Sequence, residues 1–167
     1  MKIHSSIQKL LNQQIELEKK ASNHYLAMAI WSDLKGYKKS ANLLYNQSKE
    51  ELEHMLKLIN YLIEHQVQPT VPRSEHIKPQ YPSLKKVFEN ALQQEKETTK
   101  SIHHIIDKCV DLKDHRTRCF LDWYVEEQRE EEDKMNRILE LFDIITEEGI
   151  GLYTIDQEIG KIAAKEE

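Results

Sequence analysis

The fold is decided by residues 83–148, SLKKVFENALQQEKETTKSIHHIIDKCVDLKDHRTRCFLDWYVEEQREEEDKMNRILELFDIITEE, which contain neither glycine nor proline. Apolar side chains recur through this stretch in alternating steps of three and four residues, the spacing of a seam along one face of a helix. The pattern predicts two long helices, about 83–112 and 114–147, joined by a turn near Lys113.

Helix breakers divide the rest of the chain in the same way. All four prolines lie within residues 69–82, and Gly36 is the only glycine before them. This predicts helices at about 6–33 and 38–66, and a short fifth helix at about 153–164 after Gly149 and Gly151. The proline-rich connection, at about 3.3 Å per residue, can run the full length of a bundle. We therefore expect an all-α four-helix bundle with a long crossover between helices 2 and 3, formed by a single domain, residues 1–167.

Composition limits the classes of partner. The chain has 167 residues, 32% of them charged and 39% hydrophobic, with a net charge of −5 and scattered basic residues. These values predict a soluble protein that binds neither nucleic acid nor a membrane. Cys109 and Cys119 form no CxxC motif, and the N-terminus has no apolar signal segment, so we expect a reducing cytoplasm.

Two sets of polar residues stand 77 positions apart at seam positions, where a helix normally places apolar residues. They are Glu18, Glu51 and His54, followed by Glu95, Gln128 and Glu131. In each hairpin the three residues lie 15 to 18 residues from the turn, or roughly 25 Å at about 1.5 Å per residue. Burying carboxylates costs several kcal/mol each unless something compensates, and a metal is the usual compensation. The spacing predicts two half-sites facing each other at mid-bundle.

The ligand types favour a pair of hard metal ions. A Glu from each of two helices, with a pair at i and i+3 from each of the other two, is the plan of di-iron carboxylate bundles. A single imidazole, His54, among carboxylates favours iron or manganese over copper. Taken alone, Glu51 and His54 could be a solvated pair; the matched depth of all six residues favours a metal centre.

At this point the sequence resembles a known family, the non-haem ferritins of bacteria, over essentially its whole length. The strings that carry the likeness are LNQQIELE at 11–18, EELEH at 50–54, FLDWYVEEQREEE at 120–132 and GLYTIDQE at 151–158. The resemblance implies a ferritin-like fold and an iron-storage protein of 24 subunits around a hollow core. Fe²⁺ would enter through acidic pores, be oxidised by O₂ or H₂O₂, and be stored as ferric mineral.

The resemblance also implies a role for each site residue. Glu18, Glu51 and His54 would hold one iron; Glu51, Glu95 and Glu131 would hold the second, with Glu51 bridging and Gln128 beside the site. A third iron would be held by four carboxylates, Glu50, Glu127, Glu130 and Glu131. The acidic run 130–133 could instead be a solvated face. Tyr25 would be a redox-active neighbour of the irons, or a core tyrosine whose hydroxyl is satisfied by a carboxylate.

Several alternatives stay open. A bacterioferritin would carry a haem-binding Met where this chain has Leu52, and a second Glu-x-x-His pair where it has Gln128 and Glu131, so no haem is expected. A haem-free bacterioferritin-like protein, a structural cage subunit with an impaired oxidation site, and a helical binding module without metal are the other readings. Because Glu51 corresponds to Gln128 and His54 to Glu131, we expect one tighter and one weaker iron position.

Overall fold

The computed structural model describes residues 2–164, and all regular structure in that range is helical. The five helices are α1 (Ser5–Leu34), α2 (Lys38–Glu64), α3 (Leu84–Asp111), α4 (His115–Ile144) and α5 (Gly151–Ala163). α1 packs along α2 and α3 along α4, while α5 contacts α2 and α4. The predicted four-helix bundle with a short fifth helix is confirmed.

The crossover between α2 and α3 returns the chain to the end of the bundle where α1 finishes. Tyr81, just before α3, packs edge-on against Trp31 near the end of α1, with their ring centroids 5.9 Å apart. Leu84 and Phe88 in the first turns of α3 share a core cluster with Trp31 and Leu43. α2 and α3 therefore run parallel, and the two hairpins are arranged as the long connection predicts.

Two apolar clusters fill the two ends of the bundle. One contains Met28, Leu44, Phe88 and Ile138 at the end nearer Gly36. The other includes Ile7, Leu11, Leu58, Ile105 and Leu121 at the opposite end. Between them the helices place a layer of buried carboxylates, amides and hydroxyls. Burial of the two apolar clusters stabilises the bundle. The polar layer lies at mid-bundle, where the seam positions predict the site.

The two hairpin turns repeat the 77-residue spacing. Gly36 has φ +88 and Lys113 has φ +55, so both turns pass through the left-handed region. After the second turn Asp114 caps α4, because its side chain accepts a hydrogen bond from the Thr117 amide at 3.0 Å. The sequence correctly predicts both turns, although only the first carries the glycine that this conformation favours.

The junction between α4 and α5 differs from the expected boundaries. α4 ends at Ile144 rather than near residue 147, because Ile145 is extended, with φ −109 and ψ 126. α5 begins at Gly151, two residues earlier than expected. A Cβ at Gly151 would lie 1.6 Å from the Thr146 carbonyl oxygen, so the tight connection admits only glycine at this position. Helix periodicity carries no signal for such a backbone contact.

α2 also ends earlier than expected, at Glu64, since Gln66 has φ +56 and leaves the helix. Among residues 2–164 we find no helix with the length and apolar character needed to cross a membrane.

Candidate metal centre

The first half-site is assembled by the α1–α2 hairpin. Ligand atoms of Glu18, Glu51 and His54 all lie within 4.8 Å of one another, and all three residues are buried. His54 Nδ1 is 3.3 Å from Glu51 Oε2 and 3.9 Å from Glu18 Oε2. Glu51 and His54 share one face of α2 because they are three residues apart, and Glu18 faces them from α1. Within residues 2–164 this is the one group of three or more metal-binding side chains so closely placed.

One carboxylate oxygen in this cluster accepts no hydrogen bond. Glu18 is completely buried, and its Oε1 accepts a hydrogen bond from Gln14, one turn earlier on α1. Its Oε2 is buried and makes no hydrogen bond. A buried carboxylate oxygen without a hydrogen bond is costly, whereas a bound cation would satisfy it. The donor set, two carboxylates and one imidazole around this oxygen, therefore fits a divalent metal ion.

The second half-site is held by protein donors. Glu95 accepts hydrogen bonds from the Tyr25 hydroxyl and from Gln128 Nε2, the latter at 3.1 Å. Glu131 Oε2 accepts from Gln47 Nε2 at 2.7 Å, and its Oε1 pairs with Lys134 Nζ at 2.9 Å. The predicted residues are thus buried in the same polar layer. Glu95 and Glu131 belong to no three-ligand group like that of Glu18 among the described residues.

Burial and mutual repulsion favour the protonated forms of the central carboxyl groups. Burial, and then Glu95, raise the pKa of Glu51 well above its usual range. Burial and the charge of Glu131 raise the pKa of Glu95 to about 7, against the opposing hydrogen bonds from Tyr25 and Gln128. Metal binding at this centre must therefore displace protons, and its affinity will rise with pH.

His54 is positively charged in the metal-free first half-site. Burial alone would lower its pKa, but its contacts with Glu127 and Glu51, and the nearby Glu18, raise the pKa to about 11. His54 Nε2 lies 3.6 Å from Glu127 Oε1, and this contact holds the pKa of Glu127 below its usual range. As a metal ligand His54 would have to give up a proton, and the incoming cation would replace its charge.

Aromatic rings enclose the imidazole. The ring centroids of Trp123 and Tyr124 lie 5.5 and 5.3 Å from that of His54. The Tyr124 hydroxyl is buried and has no hydrogen-bond partner, and burial together with Glu18 and Glu51 raises its pKa far above the usual value. Tyr25, which donates to Glu95, is also fully buried. Its burial, and then the charge of Glu95, raise the pKa of Tyr25. These rings exclude water from the ligands.

Among residues 2–164, the carboxylates expected to hold a third iron form no group of three ligand atoms within 4.8 Å of one another. Glu127 turns to His54, and Glu130 is exposed and lies 3.6 Å from Arg129 Nη2. Glu50 is half-buried, burial raises its pKa, and its Oε2 has no hydrogen-bond partner. Glu131 is occupied by Gln47 and Lys134.

Sequence reasoning missed residues that hydrogen-bond to the predicted ligands, among them Gln14, Gln47 and Lys134. Gln14 and Gln47 each lie four residues before a Glu in the seam. A polar residue one helical turn from a predicted ligand is the sequence feature that could have identified them. Lys134 lies three residues after Glu131 but one residue before the next seam position, Met135. Its ammonium reaches the polar layer through its long apolar stem.

Comparison with known proteins places the chain in a family. The family model for the ferritin-like domain matches residues 8–145. A probable bacterial non-heme ferritin-like protein of Haemophilus influenzae is 37% identical, over 98% of this chain and 99% of the relative. The bacterial non-heme ferritin of Campylobacter jejuni is 36% identical over 96% of each chain.

A solved structure agrees with these sequence matches. The open-pore ferritin of Archaeoglobus fulgidus superimposes with a TM-score of 0.90 at 32% identity, covering 95% of this chain and 96% of that one. The similarity includes both hairpins and the crossover, and the buried Glu18–Glu51–His54 cluster lies within the matched region. This chain belongs to the ferritin-like family, and its relatives include bacterial non-haem ferritins.

Proposed function

We propose that this protein stores and detoxifies iron by oxidising Fe²⁺ inside each subunit and depositing ferric mineral in a hollow multisubunit shell. The observation that carries the proposal is the buried Glu18–Glu51–His54 cluster, in which one oxygen of Glu18 accepts no hydrogen bond. Its place in a ferritin-like chain makes iron the expected cation. Iron is here both substrate and cargo, and no haem is needed.

Each half-site has a proposed role. Glu18, Glu51 and His54 bind the first Fe²⁺, because their ligand atoms already converge. Glu51, Glu95 and Glu131 bind the second, with Glu51 bridging and Gln128 beside it. For this second ion Glu95 must exchange its hydrogen bonds from Tyr25 and Gln128 for the metal, and Glu131 must share its oxygens with Lys134. The second position is therefore the weaker one.

The chemistry at the pair is oxidation of two Fe²⁺ by an external oxidant. With H₂O₂ the two electrons cleave the O–O bond and yield two Fe³⁺ and two hydroxides; O₂ is the other oxidant of this reaction class. The chain's part is to hold both ions among carboxylates that favour the ferric state and to exclude bulk water with Tyr25, Trp123 and Tyr124. Tyr25, next to Glu95, is placed to act as a redox-active or hydrogen-bonding neighbour.

Assembly into a shell, expected at 24 subunits, is supported by exposed apolar side chains at one end of the bundle. Leu34 ends α1, Ile144 ends α4, and Ile150 and Tyr153 flank the start of α5. These four side chains are 63–82% exposed in the single subunit. Several large exposed apolar residues at one end of a subunit are typical of a surface buried by another protein, here a further copy of the chain.

Glu51→Ala tests the proposed centre, because Glu51 is assigned to both irons. The assembled protein is mixed with two Fe²⁺ per subunit, and absorbance of the ferric product is followed by stopped flow under O₂ and under H₂O₂. We expect the fast phase to disappear in Glu51→Ala and to persist in Glu53→Ala, an exposed neighbour on α2. Unchanged progress curves in Glu51→Ala, with an assembly of unchanged size by light scattering, would reject the proposal.

A further inference from the structure

Lys134 of α4 is a buried lysine whose ammonium lies in the polar layer. It is 6% exposed, and its Nζ donates to Glu131 Oε1 at 2.9 Å and to Gln47 Oε1 at 3.0 Å. Gln47 Nε2 in turn donates to Glu131 Oε2 at 2.7 Å. The three side chains close a ring of hydrogen bonds between α2 and α4. Lysine is rarely buried unless it is paired, so the ring explains its position.

The ring occupies the place where a third iron is expected. Glu131 is common to the second and third iron positions that the resemblance implies, and both of its oxygens are taken by Lys134 and Gln47. Gln47, Glu50 and Lys134 line one surface cavity, so Lys134 and Glu50 border the same space. A metal ion among these carboxylates would meet a fixed positive charge at contact distance from its ligand.

Two of the three remaining carboxylates of that position contact other side chains. Glu127 pairs with His54 and Glu130 with Arg129, at 3.6 Å in each case. Within the part of the chain that the structure describes, the group of ligands at Glu18 is the only one of three or more within 4.8 Å. The carboxylates of the expected third site do not fit a third iron as they stand.

We propose that Lys134 is a resident cation that takes the place of the third iron, so that each subunit binds two irons at its centre and no more. The ammonium supplies positive charge to Glu131 and its neighbours and repels a third Fe²⁺. It also holds Glu131 in one orientation beside the second iron position. This inference rests on the proposed di-iron centre, and its test separates the two.

The test counts bound Fe²⁺ by anaerobic isothermal titration calorimetry on the assembled, iron-free protein. We expect two Fe²⁺ per subunit in the wild type and three in Lys134→Met, which keeps most of the side chain's volume but removes its charge. Lys134→Arg retains the charge and should stay at two. The matched control is Lys49→Met, because Lys49 is exposed and lines the same cavity but belongs to no part of the ring.

Each outcome decides a different claim. Three Fe²⁺ in the wild type, or two in Lys134→Met, would overturn the role of Lys134 and leave the di-iron centre standing. No tight binding in the wild type would overturn the centre, and with it this inference. If Lys134→Met fails to assemble, Lys134→Gln replaces it, since it keeps a hydrogen-bond donor for Glu131. Iron anomalous scattering from loaded Lys134→Met crystals should then place the extra ion between Glu50 and Glu131.

Discussion

Asp156 of α5 caps the first turn of α2 through Ser40. The Asp156 carboxylate accepts hydrogen bonds from the Ser40 amide at 2.8 Å, from the Ser40 hydroxyl at 2.7 Å and from the Lys39 amide at 3.2 Å. Asp156 is 3% exposed. A helix normally takes its N-terminal cap from the residue before it, but Tyr37 offers no side-chain cap to α2. The fifth helix therefore completes the second.

Asp156→Ala should loosen both helices. It leaves two amides of α2 without an acceptor, and loss of such a cap costs about 1–2 kcal/mol. We expect faster amide hydrogen exchange in the first turn of α2 and throughout α5, with the rest of the bundle unchanged. Glu158→Ala is the control, since Glu158 pairs only with Lys161 at the surface of the same helix, where ion pairs contribute little. Equal exchange in both variants would contradict the capping role.

Tyr25→Phe should destabilise the metal-free protein. The variant removes the hydroxyl that donates to the buried Glu95, and an unsatisfied buried acceptor costs about 1–3 kcal/mol. Because that hydrogen bond opposes the rise of the Glu95 pKa, this pKa should rise further in the variant. Guanidinium unfolding of the chelated protein measures the loss.

Tyr124→Phe is the matched control for Tyr25→Phe. Both tyrosines are fully buried beside the site, but the Tyr124 hydroxyl makes no hydrogen bond. Its removal should change stability by less than about 0.5 kcal/mol, or increase it slightly. If the two variants lose equal stability, the Tyr25–Glu95 hydrogen bond is not the cause.

The metal-free protein should become less stable as pH rises. The pKa of Glu95 is about 7 in the fold against 4.5 ordinarily, so its protonated form is favoured by folding. This contribution is complete below pH 4.5 and is lost as pH rises through about 7. The pKa of His54, about 11 against 6.5, acts in the same direction: its contribution is complete below pH 6.5 and is lost as pH rises through about 11.

Glu95→Gln separates the Glu95 contribution from the rest. Thermal unfolding midpoints of the chelated protein at pH 5, 6, 7 and 8 should fall more steeply in the wild type than in Glu95→Gln. Glu97→Gln, exposed on the same helix, should follow the wild type. Identical slopes in all three proteins would show that Glu95 does not carry the pH dependence.

The sequence contains enough to predict the bundle and the first half-site. The helix seams predict which face of each helix is buried, and the matched distances from the two turns predict the depth of each residue in the bundle. Together they place Glu18, Glu51 and His54 at one site from the sequence alone. The same reasoning places Glu95, Gln128 and Glu131 in the polar layer. Both results depend on regular helices, where residue spacing converts directly into position.

The contacts that distinguish the second half-site are beyond such reasoning. Whether Glu131 faces a metal or Lys134 depends on side-chain rotamers. It also depends on Lys134 itself, which lies one residue off the seam, so the helix periodicity does not predict its contact with Glu131. The end of α4 depends on the approach of Gly151 to the Thr146 carbonyl, a backbone contact. These features arise from the fit between neighbouring elements rather than from the pattern within one.

Lys113→Gly and Gly36→Ala should shift stability in opposite directions. A residue with a Cβ in the left-handed region is strained by about 1–2 kcal/mol, and replacing it with glycine removes this strain. Glycine also has greater freedom in the unfolded chain, which offsets about 0.4–1 kcal/mol of that gain in stability. Lys113 has φ +55, so Lys113→Gly should stabilise the protein by roughly 0.5–1 kcal/mol. Gly36 has φ +88 and nothing within 4 Å of an added Cβ, so Gly36→Ala should destabilise it through backbone strain alone.

Thermal unfolding of the two variants measures the effect at equivalent turns, 77 residues apart. For a chain of this size about 1 kcal/mol corresponds to roughly 2–4 °C in Tm. We expect a rise of that order for Lys113→Gly and a fall for Gly36→Ala, both measured on the chelated protein at one concentration, because assembly makes Tm depend on concentration. Shifts of the same sign would show that local packing, not the backbone angle, governs these turns.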